Sequence, residues 1–222
     1  VKYLPIFIDL KDRPCLVVGG GEVGRRKVDK LLGSQAKVRL VSRELAPALE
    51  KLKAAGQIEY LGPAYEPGHL DGARLVFVCT NDPELNRRVS GDARERGIEV
   101  NVADRPELCS FIVPAVVERG DLILSISTSG ASPALSARIR ARLEEEFGPE
   151  YALFLKLMRR VRREWLAGGE GTMSNRELFY RLVDSDLLAA LAAGDRDRAE
   201  AVLTSILGHG RALDELDIEE RP

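Results

Sequence analysis

The chain has 222 residues, 45% of them hydrophobic and 31% charged, with a formal net charge of −2. That is ordinary globular composition, long enough for one large domain or a smaller one with additions. The near-neutral balance argues against nucleic acid or an acidic membrane surface as partner, no apolar run is long enough to span a bilayer, and no signal-peptide pattern is visible.

Residues 3–10 form an apolar lead-in, with Leu4-Pro5-Ile6-Phe7 expected to pack ahead of Asp9 and a turn at 11–14. Residues 15–18 read as a buried parallel strand. It breaks into Gly19-Gly20-Gly21-Glu22-Val23-Gly24, and a helix over about 23–32 begins at once. Gly19 and Gly21 permit a tight turn with backbone close to a bound group, because no Cβ intervenes. Gly24 lets the helix lie close on the strand. The helix's first N–H groups have no internal partner and carry partial positive charge, which suits a pyrophosphate. This is the dinucleotide fingerprint in its strand–turn–helix context. A merely Gly-rich turn is the bland alternative.

Gly33 is expected to end the helix, and residues 37–42 form the second strand. The end of such a strand meets the adenosine ribose, usually through an acid. Here it reads Val41-Ser42-Arg43-Glu44, so Ser42, Arg43 and Glu44 are candidate cofactor contacts. Arg43 suits stacking on adenine, a 2′-phosphate, or plain solvation, and the residues leave NAD against NADP open. A helix over 45–55, a strand over 58–61 and a loop over 63–71 carrying a surface His69 come next. The strand over 74–80 ends in Cys79-Thr80-Asn81-Asp82. Ligands bind beyond the carboxyl ends of parallel strands, so Thr80 and Asn81 are placed to touch a cofactor; a helix cap before Pro83 is compatible with that. A helix over 85–96 closed by Gly97, and a strand over 98–102 running into Ala103-Asp104-Arg105-Pro106, complete the alternation. The pattern predicts an α/β fold, a Rossmann-like doubly wound parallel sheet.

From Ser110 the pattern changes. Residues 111–117 and 121–127 read as two strands, and Ser132-Pro133 opens a helix to Phe147 with Leu135, Ile139, Leu143 and Phe147 every fourth residue. That block is too small to hold a core alone, so its stripe needs another subunit or domain. Residues 151–166 form a helix with Leu153, Leu157, Val161 and Trp165 on one face and Lys156, Arg159 and Arg163 opposite. A glycine-rich linker at 168–171, a helix from a Ser174/Glu177 capping box to about 193, a helix over 195–207 and a loose acidic end from 214 follow. The cysteines, Cys15, Cys79 and Cys109, lack metal-ligand spacing and fit buried thiols in a reducing, cytoplasmic setting. With only His69 and His209, a dedicated multi-histidine metal site is not expected.

Taken together, Leu4-Pro5-Ile6-Phe7, the glycine turn, Asn101-Val102-Ala103-Asp104, Ser110-Phe111-Ile112-Val113-Pro114-Ala115 and Ser127-Thr128-Ser129-Gly130-Ala131-Ser132-Pro133-Ala134 resemble the siroheme-synthase family. These are the precorrin-2 dehydrogenases, including bifunctional forms that also insert iron. The resemblance covers residues 1–165. It implies an NAD-binding domain (1–112), a small α+β dimerisation segment (113–149) pairing two copies, and a C-terminal helical domain (150–222). It also implies oxidation of precorrin-2 to sirohydrochlorin with NAD as hydride acceptor. By position, Glu22, Val23, Arg43 and Glu44 fall where the family touches NAD, and Asp104 falls on its functional aspartate. Thr128 stands where some relatives have Ser, which keeps a hydroxyl in the loop.

A flexible polycarboxylate such as precorrin-2 needs donors. Asn101, Thr128, Ser129, Gly130, Ser132 and Arg138 are the candidate substrate contacts, with Arg142 and the Lys156-Arg159-Arg163 face beside them. Asp104 is the candidate proton acceptor, although an Asp before Arg-Pro also caps turns. If Fe²⁺ is inserted, the same carboxylate is the transient ligand, and ferrochelatase activity stays open. The rival readings are a nucleotide-sensing module without turnover and an NAD(P) oxidoreductase of another small metabolite.

Overall fold

In the computed structural model, which describes residues 2–168 and 175–208, regular structure starts at Pro14. Five parallel strands, β1 (Pro14–Gly20), β2 (Lys37–Leu45), β3 (Glu59–Gly62), β4 (Leu75–Val78) and β5 (Glu99–Val102), lie in the order β3-β2-β1-β4-β5. Helices α1 (Glu22–Gly33), α2 (Pro47–Ala54) and α3 (Pro83–Glu95) join them. The chain leaves β1 outward to β2 and β3, then returns to β4 on the other side. That reversal puts a crevice at the carboxyl ends of β1 and β4.

β1 is central, and its side chains alternate between two cores. Cys15 and Val17 pack with Val28, Leu31, Leu49 and Phe77 under α1 and α2. Leu16 and Val18 pack with Val76, Val78, Val89 and Val100 under α3. A strand buried on both faces reads as an unbroken apolar run, as 15–18 does. Asp82 caps α3, its Oδ1 accepting from Glu84 N at 3.0 Å and Leu85 N at 3.1 Å, with Pro83 at the first helical position.

The chain divides into a unit Val1–Val113, which holds this sheet, and a unit Pro114–Pro222. In the second unit, β6 (Ala115–Arg119) and β7 (Leu122–Ile126) pair antiparallel across Gly120-Asp121. Then come α4 (Pro133–Glu146), α5 (Glu150–Gly168), α6 (Asn175–Val183), α7 (Leu187–Ala193) and α8 (Arg196–Leu207). Gly120 has φ +60 and lies against Ala152, where a Cβ would stand 3.0 Å from that methyl carbon. Arg119 closes α4: Nε donates to Phe147 O at 2.7 Å and Nη2 to Glu144 O at 3.0 Å, satisfying carbonyls the helix leaves open. Phe154, Leu157, Val161, Leu178, Leu182, Leu187 and Leu203 form the helical core.

Several sequence expectations need correction. Leu4, Ile6 and Phe7 do not pack; they are 82%, 65% and 71% exposed, because only Ile8 and Leu10, next to the turn into β1, reach the sheet. α1 ends at Gly33 as expected, and the left-handed residue after it is Gln35, at φ +59. Residues 111–114 are not strand: the hairpin begins at Ala115, while Phe111 and Val113 pack on the parallel sheet's core. His69 is half-buried in a short 3-10 turn (Pro67–Leu70), its Nδ1 accepting from Glu66 N at 3.2 Å. The single helix expected to about 193 is two. Ser185 breaks it, donating to Leu182 O at 2.8 Å and accepting from Leu187 N at 3.3 Å, so its hydroxyl competes with the helical ladder. Phe154 joins Leu157 and Val161 in the core, with Leu153 only at its margin. The side chain of Trp165, the 168–171 linker beyond Gly168, Ser174, His209 and the acidic end lie outside the described residues.

Candidate functional site

A cleft of about 1010 Å³ opens at the carboxyl ends of β1, β2 and β4. Its floor is the glycine turn, and the four glycines in it differ in what holds them. A Cβ on Gly19 (φ +113) would lie 2.4 Å from Cys79 O, one on Gly20 2.4 Å from Glu44 O, and one on Gly24 2.0 Å from Gly19 O. Those three are glycine because protein already fills the space. Gly21 has φ −77 and ψ −170, a backbone open to any residue, and a Cβ there meets nothing within 4 Å. The fold itself therefore does not require glycine at 21.

Gly21 is also the N-cap of α1, with no side-chain acceptor, unlike α3 with its Asp82. The first N–H groups of α1 point out of an uncapped turn, so an anion can complete them. A pyrophosphate meets both conditions, and the residues fit a bound dinucleotide.

The wall on the β2 side is longer than the sequence suggested. β2 runs through Leu45, so Ser42, Arg43 and Glu44 lie within it, past a register shift. Ser42 Oγ accepts from Gly20 N at 2.8 Å and donates to Glu44 O at 2.7 Å, tying the glycine turn to the strand end. Opposite stand Thr80, Asn81 and Asp82. Thr80 Oγ1 bonds Asn86 Oδ1 at 2.6 Å, and Asn86 Nδ2 returns to Thr80 O at 3.1 Å, which fixes the loop after β4.

Pro63, Ala64, Tyr65, Leu85 and Arg88 complete the cleft and were not foreseen. Tyr65 is buried, its hydroxyl donating to Asp92 Oδ2 at 2.9 Å, and Arg88 lies 5.6 Å from its ring centroid. Burial first, then that hydrogen bond, raises the Tyr65 pKa, so the phenol stays protonated. Spacing gave no signal for this wall, because Tyr65 comes from the loop after β3 and Arg88 from mid-α3.

Of the candidate cofactor residues, Gly19, Gly21, Ser42, Arg43, Glu44, Thr80 and Asn81 line this cleft, whereas Glu22, Val23 and Gly24 do not. Glu22 Oε1 accepts from Arg25 Nη2 at 2.7 Å, and that bond lowers its pKa. Val23 is half-buried and Gly24 buried.

Asp104 lies beyond the end of β5, exposed, at φ +58. It acts electrostatically on Cys79, whose thiol is pushed up to about 11 mainly by burial, with Lys27 and Arg26 opposing and Asp104 adding. Asn101 Nδ2 donates to Phe111 O at 3.1 Å, which ties β5 to the following segment.

In the second unit, Thr128 Oγ1 donates to Ser132 O at 3.1 Å and accepts from Ser132 N at 3.1 Å; Ser132 Oγ caps α4 through Leu135 N at 3.2 Å. Both hydroxyls are committed to their own turn. Ser129 (φ +53) and Gly130 (φ +87) form its exposed tip, and Arg138 is exposed on α4. Arg159 pairs with Asp121, whereas Lys156 and Arg163 are exposed. Among the described residues no cluster of three or more His, Cys, Asp or Glu is arranged to hold a metal, and no helix is long and apolar enough to cross a membrane.

A family described as putative NAD(P)-binding matches residues 6–115, and the sirohaem biosynthesis protein central family matches residues 119–146. The chain is 40% identical over 208 residues to the siroheme synthase of Methylobacillus flagellatus, covering 92% of this chain and 44% of that protein. With the siroheme synthase of Thioalkalivibrio sulfidiphilus it is 38% identical over 210 residues, covering 95% of this chain and 43% of the relative. It thus spans less than half the length of these curated relatives. A solved structure titled SirC, precorrin-2 dehydrogenase, superposes with a TM-score of 0.71 at 24% identity over 93% of this chain and 100% of that one, a likeness of fold.

Proposed function

The chain belongs to the siroheme synthase family, and from that membership we propose that it oxidises precorrin-2 to sirohydrochlorin with NAD as acceptor. One observation carries the reading: Gly21 leaves an uncapped helix N-terminus open to the cleft, within a chain whose next segment matches the sirohaem central family. NAD(P) binding belongs to the first unit; the choice of NAD over NADP is the proposal's own.

When bound, the nicotinamide takes a hydride from the macrocycle. The chain's residues do the rest. The α1 N-terminus and Gly21 hold the pyrophosphate. Ser42, Arg43 and Glu44 face the adenosine, and Thr80 and Asn81 border the path toward β4. Removing two hydrogens as hydride and proton leaves a proton to place, and the Asp104 carboxylate accepts it. Positioning the reacting carbon is the protein's main contribution.

In the second unit, the exposed backbone of Ser129 and Gly130 and the guanidinium of Arg138 are donors for the substrate's carboxylates. Thr128 and Ser132 hold that turn through the bonds described, and in the first unit Asn101 is the proposed substrate contact beside β5. We also propose a homodimer through residues 113–149, because Leu135 and Ile123 stand 50% and 44% exposed there.

Anaerobic incubation with enzymatically made precorrin-2 and either NAD⁺ or NADP⁺, following reduced nicotinamide and the macrocycle spectrum together, tests the reading. Sirohydrochlorin formation with kcat/KM favouring NAD⁺ is the expected result. Absence of both signals refutes it. Sirohydrochlorin with Fe²⁺, against a no-enzyme control, tests iron insertion separately.

A further inference from the structure

Lys27, in the second turn of α1, has an environment that the reading above leaves unused. Its Nζ lies 5.4 Å from the centroid of Phe77, a buried β4 residue whose ring meets Phe111 edge-on at 5.5 Å. Cys79 and Cys109 are among its electrostatic neighbours. Among the described residues no carboxylate lies within 4 Å of it.

The sequence had acids to offer. Glu22 and Asp29 sit on the same helix, but Arg25 takes both. Lys53 shows the ordinary arrangement: it too stacks on a ring, that of Tyr60 at 4.2 Å, but Glu50 stands 3.7 Å from its amine. Half-burying an ammonium without a counter-charge is unfavourable, and a ring face offsets only part of that. Burial accordingly lowers the Lys27 pKa, with Lys30 and Arg26 adding to the effect.

Position decides what the missing partner is. Cys79, beside Lys27, is the residue whose carbonyl abuts Gly19, and its thiol senses Asp104. Lys27 does not line the dinucleotide cleft, whereas Thr80 and Asn81, next along from Cys79, do. The amine thus lies outside the cofactor cleft, and it and Asp104 both act electrostatically on Cys79, at the end of β4.

We propose that Lys27 anchors a carboxylate of the substrate at the β4–β5 end of the sheet. The assignment rests on the reading that the substrate is a polycarboxylate tetrapyrrole. The amine supplies a charge-assisted donor, and the Phe77–Phe111 pair gives the macrocycle's apolar edge a neighbour.

The test compares the parent with Lys27→Met, which keeps the stem over Phe77 and removes the charge, and with Lys27→Arg, which keeps the charge. Steady-state kinetics with precorrin-2 and NAD⁺ are measured anaerobically, with thermal melting as the check on folding. A lost charge-assisted contact should raise the Lys27→Met KM for precorrin-2 about 10- to 100-fold. KM for NAD⁺ should stay unchanged, and Lys27→Arg should recover part of the loss. A folded Lys27→Met with parental KM for precorrin-2, or with only kcat reduced, overturns the anchor while leaving the dehydrogenase reading intact. No turnover by the parent overturns that reading and the anchor with it.

Discussion

Alanine at Gly19 and alanine at Gly21 should have opposite consequences, although the two glycines are two residues apart. At Gly19 the methyl would stand 2.4 Å from Cys79 O at φ +113. The backbone conformation costs about 1–3 kcal/mol and the overpacking about 1–3 more, against a total stability of about 5–15. With a urea slope of about 2 kcal/mol/M, a loss of about 4 kcal/mol lowers the unfolding midpoint by about 2 M. At Gly21 the φ is −77 and no atom lies within 4 Å of the new methyl, so the unliganded protein keeps or slightly gains stability, by up to about 1 kcal/mol. The methyl instead occupies the approach to the α1 N-terminus. Losing one charge-assisted contact there costs about 1.5–3 kcal/mol, or roughly 10- to 100-fold in Kd for NAD⁺. Urea unfolding of the apo-protein and calorimetric titration with NAD⁺ read the two effects separately. A Gly21→Ala protein that binds NAD⁺ within twofold of the parent, or that unfolds as early as Gly19→Ala, would refute the argument that ligand alone accounts for this glycine. Gly21→Asp, which adds a negative charge at the same place, should weaken NAD⁺ binding further than Gly21→Ala.

Three further outcomes are expected. Asp104→Asn keeps a residue that tolerates φ +58, so fold and NAD⁺ binding should persist while sirohydrochlorin formation slows about 100-fold or more; near-parental turnover would leave Asp104 a turn residue. Leu135→Glu with Ile139→Glu should turn a dimer into a monomer by sedimentation at micromolar concentration, and a surviving dimer would move the interface off α4. Lys27→Met should stabilise the apo-protein at neutral pH. The folded state binds the Lys27 proton less tightly than the unfolded chain, so the parent gains stability as pH rises from the lowered folded pKa through the ordinary value of 10.5. The advantage of Lys27→Met should therefore shrink as pH rises through that window, and urea midpoints across it check the sign.

The features readable from the sequence were those written in local chemistry. An apolar run breaking into glycines before a helix placed β1 and α1, because that signal sits within a few residues of what it dictates, whereas α3, expected from 85, starts at Pro83 under the Asp82 cap. Contacts between distant segments were not readable. Nothing around Tyr65 announces that it faces the same cleft as Ser42, since only the β3-β2-β1-β4 order brings them together. The crowding of Gly20 against Glu44 O becomes visible only once β2 extends past its apolar stretch. The break at Ser185 was hidden by a helical apolar pattern that continues on both sides of it. Residues 111–114 have strand composition but pair with no strand among the described residues; Phe111 and Val113 pack against the parallel sheet's core instead.

The Ser42 hydroxyl, held between Gly20 N and Glu44 O, bears on how cofactor preference can be re-engineered. Exchanging Arg43 alone alters a side chain on a frame that stays clamped. Importing a longer 2′-phosphate-binding segment from another dehydrogenase would remove the hydroxyl and release the glycine turn at the same stroke, so selectivity and affinity would change together. A successful graft must carry a hydroxyl at position 42 and vary only its neighbours.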